Sequence, residues 1–531
     1  MTVSAASHSE PLTVLTSTRA VLTLPDDSLI LTPATISVSS ATGKIVEIVP
    51  EVLPETSFPA SATYIHYGSK LLMPGIVDAH VHLNEPGRTE WEGFNTGTRA
   101  AASGGVTTVI DMPLNAIPPT TTLAGFKEKL AASRGQCWVD VGFYGGVIPG
   151  NADELLPLVE AGVRGFKGFL IESGVEEFPA ISANDIALAM TTLKDSPTTL
   201  MFHAEMIPPI ADSVGDAVQA SEPPLAPHGD LKTYQTFLES RPPSFETYAI
   251  DQIISLAHLA PSLHLHIVHL SATQAIPILK AARKAGVDIT AETCFHYLGL
   301  AAEGVDDGDC RYKCCPPIRE QLNQDGLWEE LVAPDSCIKT VVSDHSPCTP
   351  ELKLLPPHLQ TIEATQMRHS DSGIDMSADI EREAEKVEET QPSALGDFFG
   401  AWGGISSVGL GLPILHTSAK KRGDKAPSIV DMVRLCCAAT AKQVGLSHRK
   451  GALKVGMDAD ICVFDDTEEW ILNSAGMHWK NRCSPWEGHR FTGRVKETWL
   501  RGQKIYEHGG ANGGFVCGKP VGEAIVEKRS A

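Results

Sequence analysis

The chain has 531 residues, 42% of them hydrophobic and 20% charged. That length holds two or three ordinary domains, or one barrel with an appendage, and buries a large core. A formal net charge of −22 excludes the basic field that a nucleic acid or an anionic membrane surface demands.

The first residues, "MTVSAASHSE", carry neither the basic nor the apolar region of a signal peptide. No window reaches the roughly 18 apolar residues of a membrane span, and "KRSA" at the other end is not a peroxisomal address. Twelve cysteines, some adjacent (Cys314 with Cys315, Cys436 with Cys437), match neither a disulfide framework nor a zinc-finger spacing. A reducing, cytoplasmic location is the expectation.

Residues 1–72 contain short β-like runs, "PLTVLTSTRAVLTL", "ATISVSS" and "KIVEIV", divided by Pro, Gly and Asp turns. Residues 448–531 look alike, with "DADICVFD" and "RVKETWLRGQKIY". Two β-rich flanks predict one small β-sandwich built from both termini. Between them, residues 73–447 hold eight apolar, β-branched runs: 75–80, 106–112, 139–147, 164–170, 198–205, 263–271, 287–294 and 338–346. Helix-like segments fill most gaps, among them 124–133, 184–194, 245–260 and 273–286. Buried strands alternating with helices mean a parallel sheet. Eight such units predict an α/β fold, a (β/α)8 barrel. The stretch 351–396 breaks the pattern. Its acidic run "DSGIDMSADIEREAEKVEET" has the composition of a disordered insertion.

In such a barrel, chemistry sits where the strands end. The first run ends in His80 and His82, which project to one face because they lie two apart on a strand. The fourth run carries Lys167, the fifth His203, the sixth His269 and the eighth Asp344. His264, His266, His296 and His345 read as ordinary hydrogen-bonded polar groups. The convergent set reads as a metal site. Imidazole and carboxylate ligands favour zinc, with manganese, cobalt or iron as alternatives. More than four ligands exceed one tetrahedral ion, so two ions about 3.5–4 Å apart are expected. Lysine would bridge them only after its neutral amine had added CO2 to form a carbamate, an addition that burial beside cations favours.

The stretches "PGIVDAHVHLNEPG", "GFKGF", "FHAE", "IVHLSA", "ETCFHY", "KCCPPIR" and "SDHSP" resemble the cyclic amidohydrolases of the amidohydrolase superfamily along nearly the whole chain. The resemblance implies a barrel with a β-sandwich. It also implies a binuclear zinc centre on His80, His82, carboxylated Lys167, His203, His269 and Asp344, with Asp344 as general acid and base. Dihydroorotases of that family carry an arginine where this chain has Asn84, and a substrate carboxylate without its bidentate arginine is poorly held. "EPGRTEWEGF", "MPLN" and "AWGGI" are instead similar to the branch that opens the five-membered hydantoin ring of allantoin. Asn84, Asn115, Thr293 and Cys315 are then expected to orient the substrate, although Cys315 stands where serine is usual in bacterial members. A homotetramer is the implied assembly. A hydantoinase or dihydropyrimidinase would share every metal ligand, and a non-catalytic scaffold relative would lack some.

Overall fold

The computed structural model describes residues 11–208, 227–359 and 394–529. The acidic run at 371–390 lies outside them. Both β-rich flanks enter one eight-stranded sheet. Its first five strands are β1 (Leu12–Thr23), β2 (Leu29–Ser39), β3 (Ile45–Val49), β4 (Thr63–His66) and β5 (Leu71–Pro74). Its last three are Ile461–Ile471, Arg490–Leu500 and Gln503–Glu507, in the order Gln503–Glu507, Arg490–Leu500, Ile461–Ile471, β5, β1, β2, β3, with β4 beside β1. β1 and β2 both carry continuous buried runs, and Leu15, Leu22, Ile36 and Val38 from them enter a small core of their own. Leu453, Ile461, Val463 and Trp499 from the far end of the chain complete it.

Each of the eight expected central runs contains a strand. They are β6 (Ile76–Val81), β7 (Val106–Asp111), β8 (Asp140–Phe143) with β9 (Gly145–Gly146), β10 (Phe166–Phe169), β11 (Thr199–His203), β12 (His264–Ile267), β13 (Ile289–Cys294) and β14 (Ile338–Val342). The third run is the one that splits, at Tyr144 between β8 and β9. Every pairing among these strands is parallel, in the orders β6–β7–β8 and β9–β10–β11–β12–β13–β14. All six residues of β6 are buried, Asp78 and His80 among them, as in a parallel strand covered on both faces.

Backbone bonds join the two sheets at both margins. The His82 N–H donates to the His345 carbonyl at 2.8 Å, and the Arg164 N–H donates to the Phe143 carbonyl at 2.7 Å. A third chain segment reaches the edge of β8: Val141 donates to Glu523 and receives from Ile525, at 2.9 and 2.7 Å.

Helices occupy the gaps. Ala183–Leu193 starts at a capping box, in which Ser182 and Asp185 satisfy each other's backbone N–H. The 245–260 segment is helical over Pro243–Leu256 and tightens into a 3-10 turn at Ala257–Leu259. The 273–286 segment begins as a 3-10 turn and becomes α-helical at Ile276–Lys284. No helix among the described residues is long and apolar enough to cross a membrane.

Candidate metal-dependent active site

The parallel strands deliver six side chains to one buried point. His80 lies near the end of β6 and His82 just beyond it. Lys167 lies within β10, His203 closes β11, and His269 and Asp344 follow β12 and β14 by two residues. All six are buried. His80 Nε2 is 3.1 Å from Asp344 Oδ1 and 3.1 Å from Lys167 Nζ, and His82 Nε2 is 3.7 Å from the same Asp344 oxygen. The His269 ring stands 5.5 Å from His80 and 4.6 Å from His203, centroid to centroid. His269 and Asp344 adopt positive φ, at 39° and 46°, a strained region for side chains of this kind. These turns aim both groups back over the strand ends.

Electrostatics prepares these groups to act as ligands. Burial lowers the pKa of His82 to about 3 and pulls His203 and His269 down as well, with Lys167 adding its charge in each case. Neutral imidazoles have lone pairs to give. Burial also brings Lys167 down to about 8. Burial opposes ionisation of Asp344, but His80 and His82 outweigh it and hold the carboxyl well below its usual range. His80 differs from the other histidines. Burial and Lys167 act against its protonation, yet Asp344 and Glu292 push its pKa up.

Carboxylates behind the cluster orient it, and the sequence reading did not single them out. Glu292 on β13 spans two histidines, with Oε1 2.5 Å from His80 Nδ1 and Oε2 3.1 Å from His266 Nε2. Occupation of Nδ1 leaves His80 Nε2 for the cluster. Glu205, two residues after His203, takes hydrogen bonds from His203 Nε2 and Arg241 Nη1, both at 2.7 Å. Burial opposes the charge of both glutamates, but their partners win and each falls to about 2. The "FHAE" stretch carries Glu205 in plain view. Glu292 sits in a run that reads only as a strand.

Of the four other histidines, His264, His266 and His345 have structural partners, whereas the buried His296 ring has no side-chain hydrogen-bond partner among the described residues, contrary to the expectation of an ordinary hydrogen-bonded group. His266 Nδ1 meets Thr290 at 2.7 Å, and His264 pairs with Asp288 at 3.0 Å. His345 Nδ1 receives the N–H groups of Ser407 and Val408. Its Nε2 faces the buried Glu92 at 3.4 Å. His296 lies with Cys294 close to Asp344.

A cavity of about 430 Å³ opens over the cluster, lined by His82, His203, His269 and Asp344. Asn115 and Cys315 line it too. The Asn115 amide lies 3.4 Å from His82 Nδ1. Asn84 and Thr293 are not among the lining residues. Asn84 donates to the Pro347 carbonyl at 3.3 Å, and the Thr293 hydroxyl donates to the Leu270 carbonyl at 2.9 Å. The wall instead shows Arg241, Lys313 and Trp402.

The donor set fits divalent ions. His80, His82 and Asp344 place one ligand atom each within 4.8 Å of one another. The buried His269 Nδ1 has no hydrogen-bond partner among the described residues. Imidazoles with a carboxylate suit zinc and its neighbours. A second acidic group, Asp140, Asp458 and Asp460, is different: Lys450 reaches all three at 2.7, 3.0 and 2.7 Å, Arg501 binds Asp140, and Lys44 and Arg449 bind Asp458, so its charge is already answered by cations.

The chain is similar to known proteins over most of its length. The model of the amidohydrolase family matches residues 71–307 and 407–505. Allantoinase of Saccharomyces cerevisiae is 44% identical over 503 residues, 94% of this chain and 96% of the relative. Allantoinase of Streptomyces avermitilis is 40% identical over 90% of this chain and 92% of its own. Among solved structures, the L-hydantoinase (dihydropyrimidinase) from Arthrobacter aurescens superimposes with a TM-score of 0.77 at 25% identity, covering 97% of this chain and 99% of that one. The dihydropyrimidinase from Brevibacillus agri reaches 0.74 at 24% identity, covering 98% and 99%.

Proposed function

We propose, for a chain that belongs to the amidohydrolase family, the activity of an allantoinase: hydrolysis of the hydantoin ring of (S)-allantoin to allantoate. The observation that carries this reading is 44% identity to the yeast allantoinase over nearly the full length of both chains. Asn84, at the position where a dihydroorotase carries its carboxylate-binding arginine, agrees with it.

The same reading covers the architecture. The parallel strands form a closed (β/α)8 barrel within 73–447, supported by the backbone bonds at both margins of the sheets. The sheet built from 12–74 and 461–507 curls over its separate core as a small sandwich. Four such chains assemble as a homotetramer, the arrangement the family resemblance implies.

His80, His82, Lys167, His203, His269 and Asp344 would hold two divalent ions, zinc first among them. When bound, such ions lower the pKa of a water toward ~7 and polarise the scissile carbonyl. Lys167 joins the set as a carbamate. Its neutral amine adds CO2, an N–C bond forms and one proton leaves to solvent, a step favoured by the lowered pKa of about 8. Asp344 accepts a proton from the attacking water. The water oxygen bonds to the ring carbonyl carbon, the C–N bond breaks, and Asp344 passes the proton to the departing ring nitrogen. Asn115 and Cys315 contact the ring from the cavity wall. Asn84 and Thr293 act behind that wall, holding the Pro347 and Leu270 carbonyls.

The test is hydrolysis of allantoin, hydantoin, dihydrouracil and dihydroorotate by the purified protein with its metal content measured. Allantoin is expected to give the highest kcat/KM. Faster hydrolysis of another ring would replace this reading, with hydantoinase or dihydropyrimidinase next in order because the solved neighbours carry those names. A folded, metal-free and inactive protein would indicate a non-catalytic relative.

A further inference from the structure

The "EPGRTEWEGF" stretch contains a side chain that the reaction itself does not use. Arg88 sits in the turn after His82, and its N–H donates to the Asn84 carbonyl at 3.1 Å. Its guanidinium serves two other segments and an aromatic ring of its own turn at once. Nη1 donates to the Asn115 carbonyl at 2.8 Å and to the Glu177 carboxylate, whose second oxygen lies 3.4 Å from Nη2. The guanidinium also covers the Trp91 ring at 5.1 Å, and Trp91 packs edge-on against Trp402 at 4.6 Å.

Each contact leads to the cavity. Asn115 and Trp402 line it, and Glu177 belongs to the loop whose residues 171–174 line it. That loop is tied together at its base, where the Ser173 hydroxyl donates to the Phe178 carbonyl at 2.6 Å. The Arg88–Glu177 pair is largely shielded, with side chains 17% and 23% exposed, so solvent screens it less than an open surface pair. Only a planar fork with several donors can serve a carboxylate, a carbonyl and an aromatic face together.

We propose that Arg88 is a positioning residue of the active site. With Glu177 it clamps the 171–178 loop to the Asn115 turn, and through Trp91 it seats Trp402. It thereby sets the spacing of the cavity wall and governs binding of the cyclic amide more than its turnover. The substrate part of this inference rests on the hydrolase reading above. Arg88 touches wall segments and none of the reacting groups, so its loss removes binding shared by ground and transition states, which appears in KM.

The experiment compares wild type, Glu177→Gln, Arg88→Gln, Arg88→Lys and Arg88→Gln/Glu177→Gln. In Glu177→Gln, KM for allantoin is expected to rise roughly tenfold with kcat within about twofold, the pattern of lost uniform binding. Amide exchange across 171–178 accelerates, while Tm and metal content stay at wild-type values. Arg88→Lys behaves likewise, because charge without the fork does not rebuild the clamp. The double variant is no worse than Arg88→Gln alone, because a coupled pair is non-additive. An unchanged KM in Glu177→Gln, a fall in kcat alone, or additive losses overturn the proposal. If wild type leaves allantoin intact, the substrate reading fails by itself. The exchange arm still decides the clamp: faster exchange in Glu177→Gln supports it, and unchanged exchange overturns it.

Discussion

Glu292 holds two histidines with one carboxylate, and its loss should be felt at the metal before it is felt in the fold. Glu292→Gln keeps the shape but removes the charge facing His80 Nδ1. Metal affinity is expected to drop about 10–100-fold, the usual cost of losing such a supporting group. Competition with a chromogenic chelator measures it, and unchanged affinity would mean that His80 needs no such support. Lys167→Ala removes the amine on which the proposed carbamate would form. Activity and bound metal should fall together, and short carboxylic acids should restore part of both by occupying the vacated position. Full metal occupancy with an unchanged rate in Lys167→Ala would falsify the carbamate role. At this scale the sequence was informative where residue type and strand parity coincide, as at His80 and His82. It was silent on Glu292 and Arg241, because a buried carboxylate or guanidinium leaves no periodic trace. It misplaced Asn84 and Thr293 relative to the cavity, since a position next to a motif says nothing about which neighbour claims the side chain.

The wall segment 399–404 shows how loops are held where no regular ladder exists. Lys313 donates to the carbonyls of Phe399 and Ala401, and Lys353 donates to those of Trp402 and Gly404. Gly404 adopts a φ of 155°, and a Cβ there would lie 2.3 Å from the Ser346 carbonyl oxygen. Backbone cannot yield as a flexible side chain can, so Gly404→Ala should displace the turn that carries Asp344. A loss of roughly 10²-fold in kcat/KM is expected, the scale of a displacement near 1 Å. A wild-type rate in a folded Gly404→Ala would show that the turn adapts. The strands were legible because apolar β-branched runs of four to eight residues bounded by turn residues have few other uses. The helix Phe94–Ser103, with the sequence "FNTGTRAAAS", was not singled out. Its buried face includes Phe94, Gly97, Thr98 and Ala101 at helical spacing, but these are mostly small or polar residues and do not stand out as an apolar stripe.

The two sheets meet over a buried ionic knot. Lys450 joins Asp140, which opens β8, to Asp458 and Asp460, which precede Ile461–Ile471. Lys44 and Arg449 also bind Asp458, at 2.6 and 2.9 Å. Burial acts against the charge of Asp458, but Lys450, Lys44 and Arg449 outweigh it and hold the carboxyl below its usual range. A carboxylate depressed in the folded state stabilises the fold above its unfolded pKa of about 3.9 and loses that contribution as pH falls below it. Asp458→Asn should therefore unfold more easily than wild type at neutral pH, by ~3–5 kcal/mol for a broken buried pair. The gap should narrow once pH drops below about 4. Urea melts at several pH values measure both, and a gap that stays constant down to pH 3 would show that Asp458 does not titrate with folding. That both termini build one sheet was visible in their shared strand-like composition. The knot was not: Arg449, Lys450, Asp458 and Asp460 are near neighbours in the chain, but Asp140 and Lys44 join them from 310 and 414 residues away.

The pairing of β5 with Ile461–Ile471 has a consequence for the life of the chain before it is complete. During synthesis β1 to β5 emerge early, yet the strand that covers β5 leaves the ribosome only after almost the whole barrel has been made. At about 5–20 residues per second this delay is on the order of 20–80 s. Throughout it, the Leu71, Leu72 and Met73 backbone presents an unpaired apolar edge of the kind that recruits other chains. Crowding by sister polypeptides on the same messenger, more than any weakness of the finished molecule, is the hazard this topology creates.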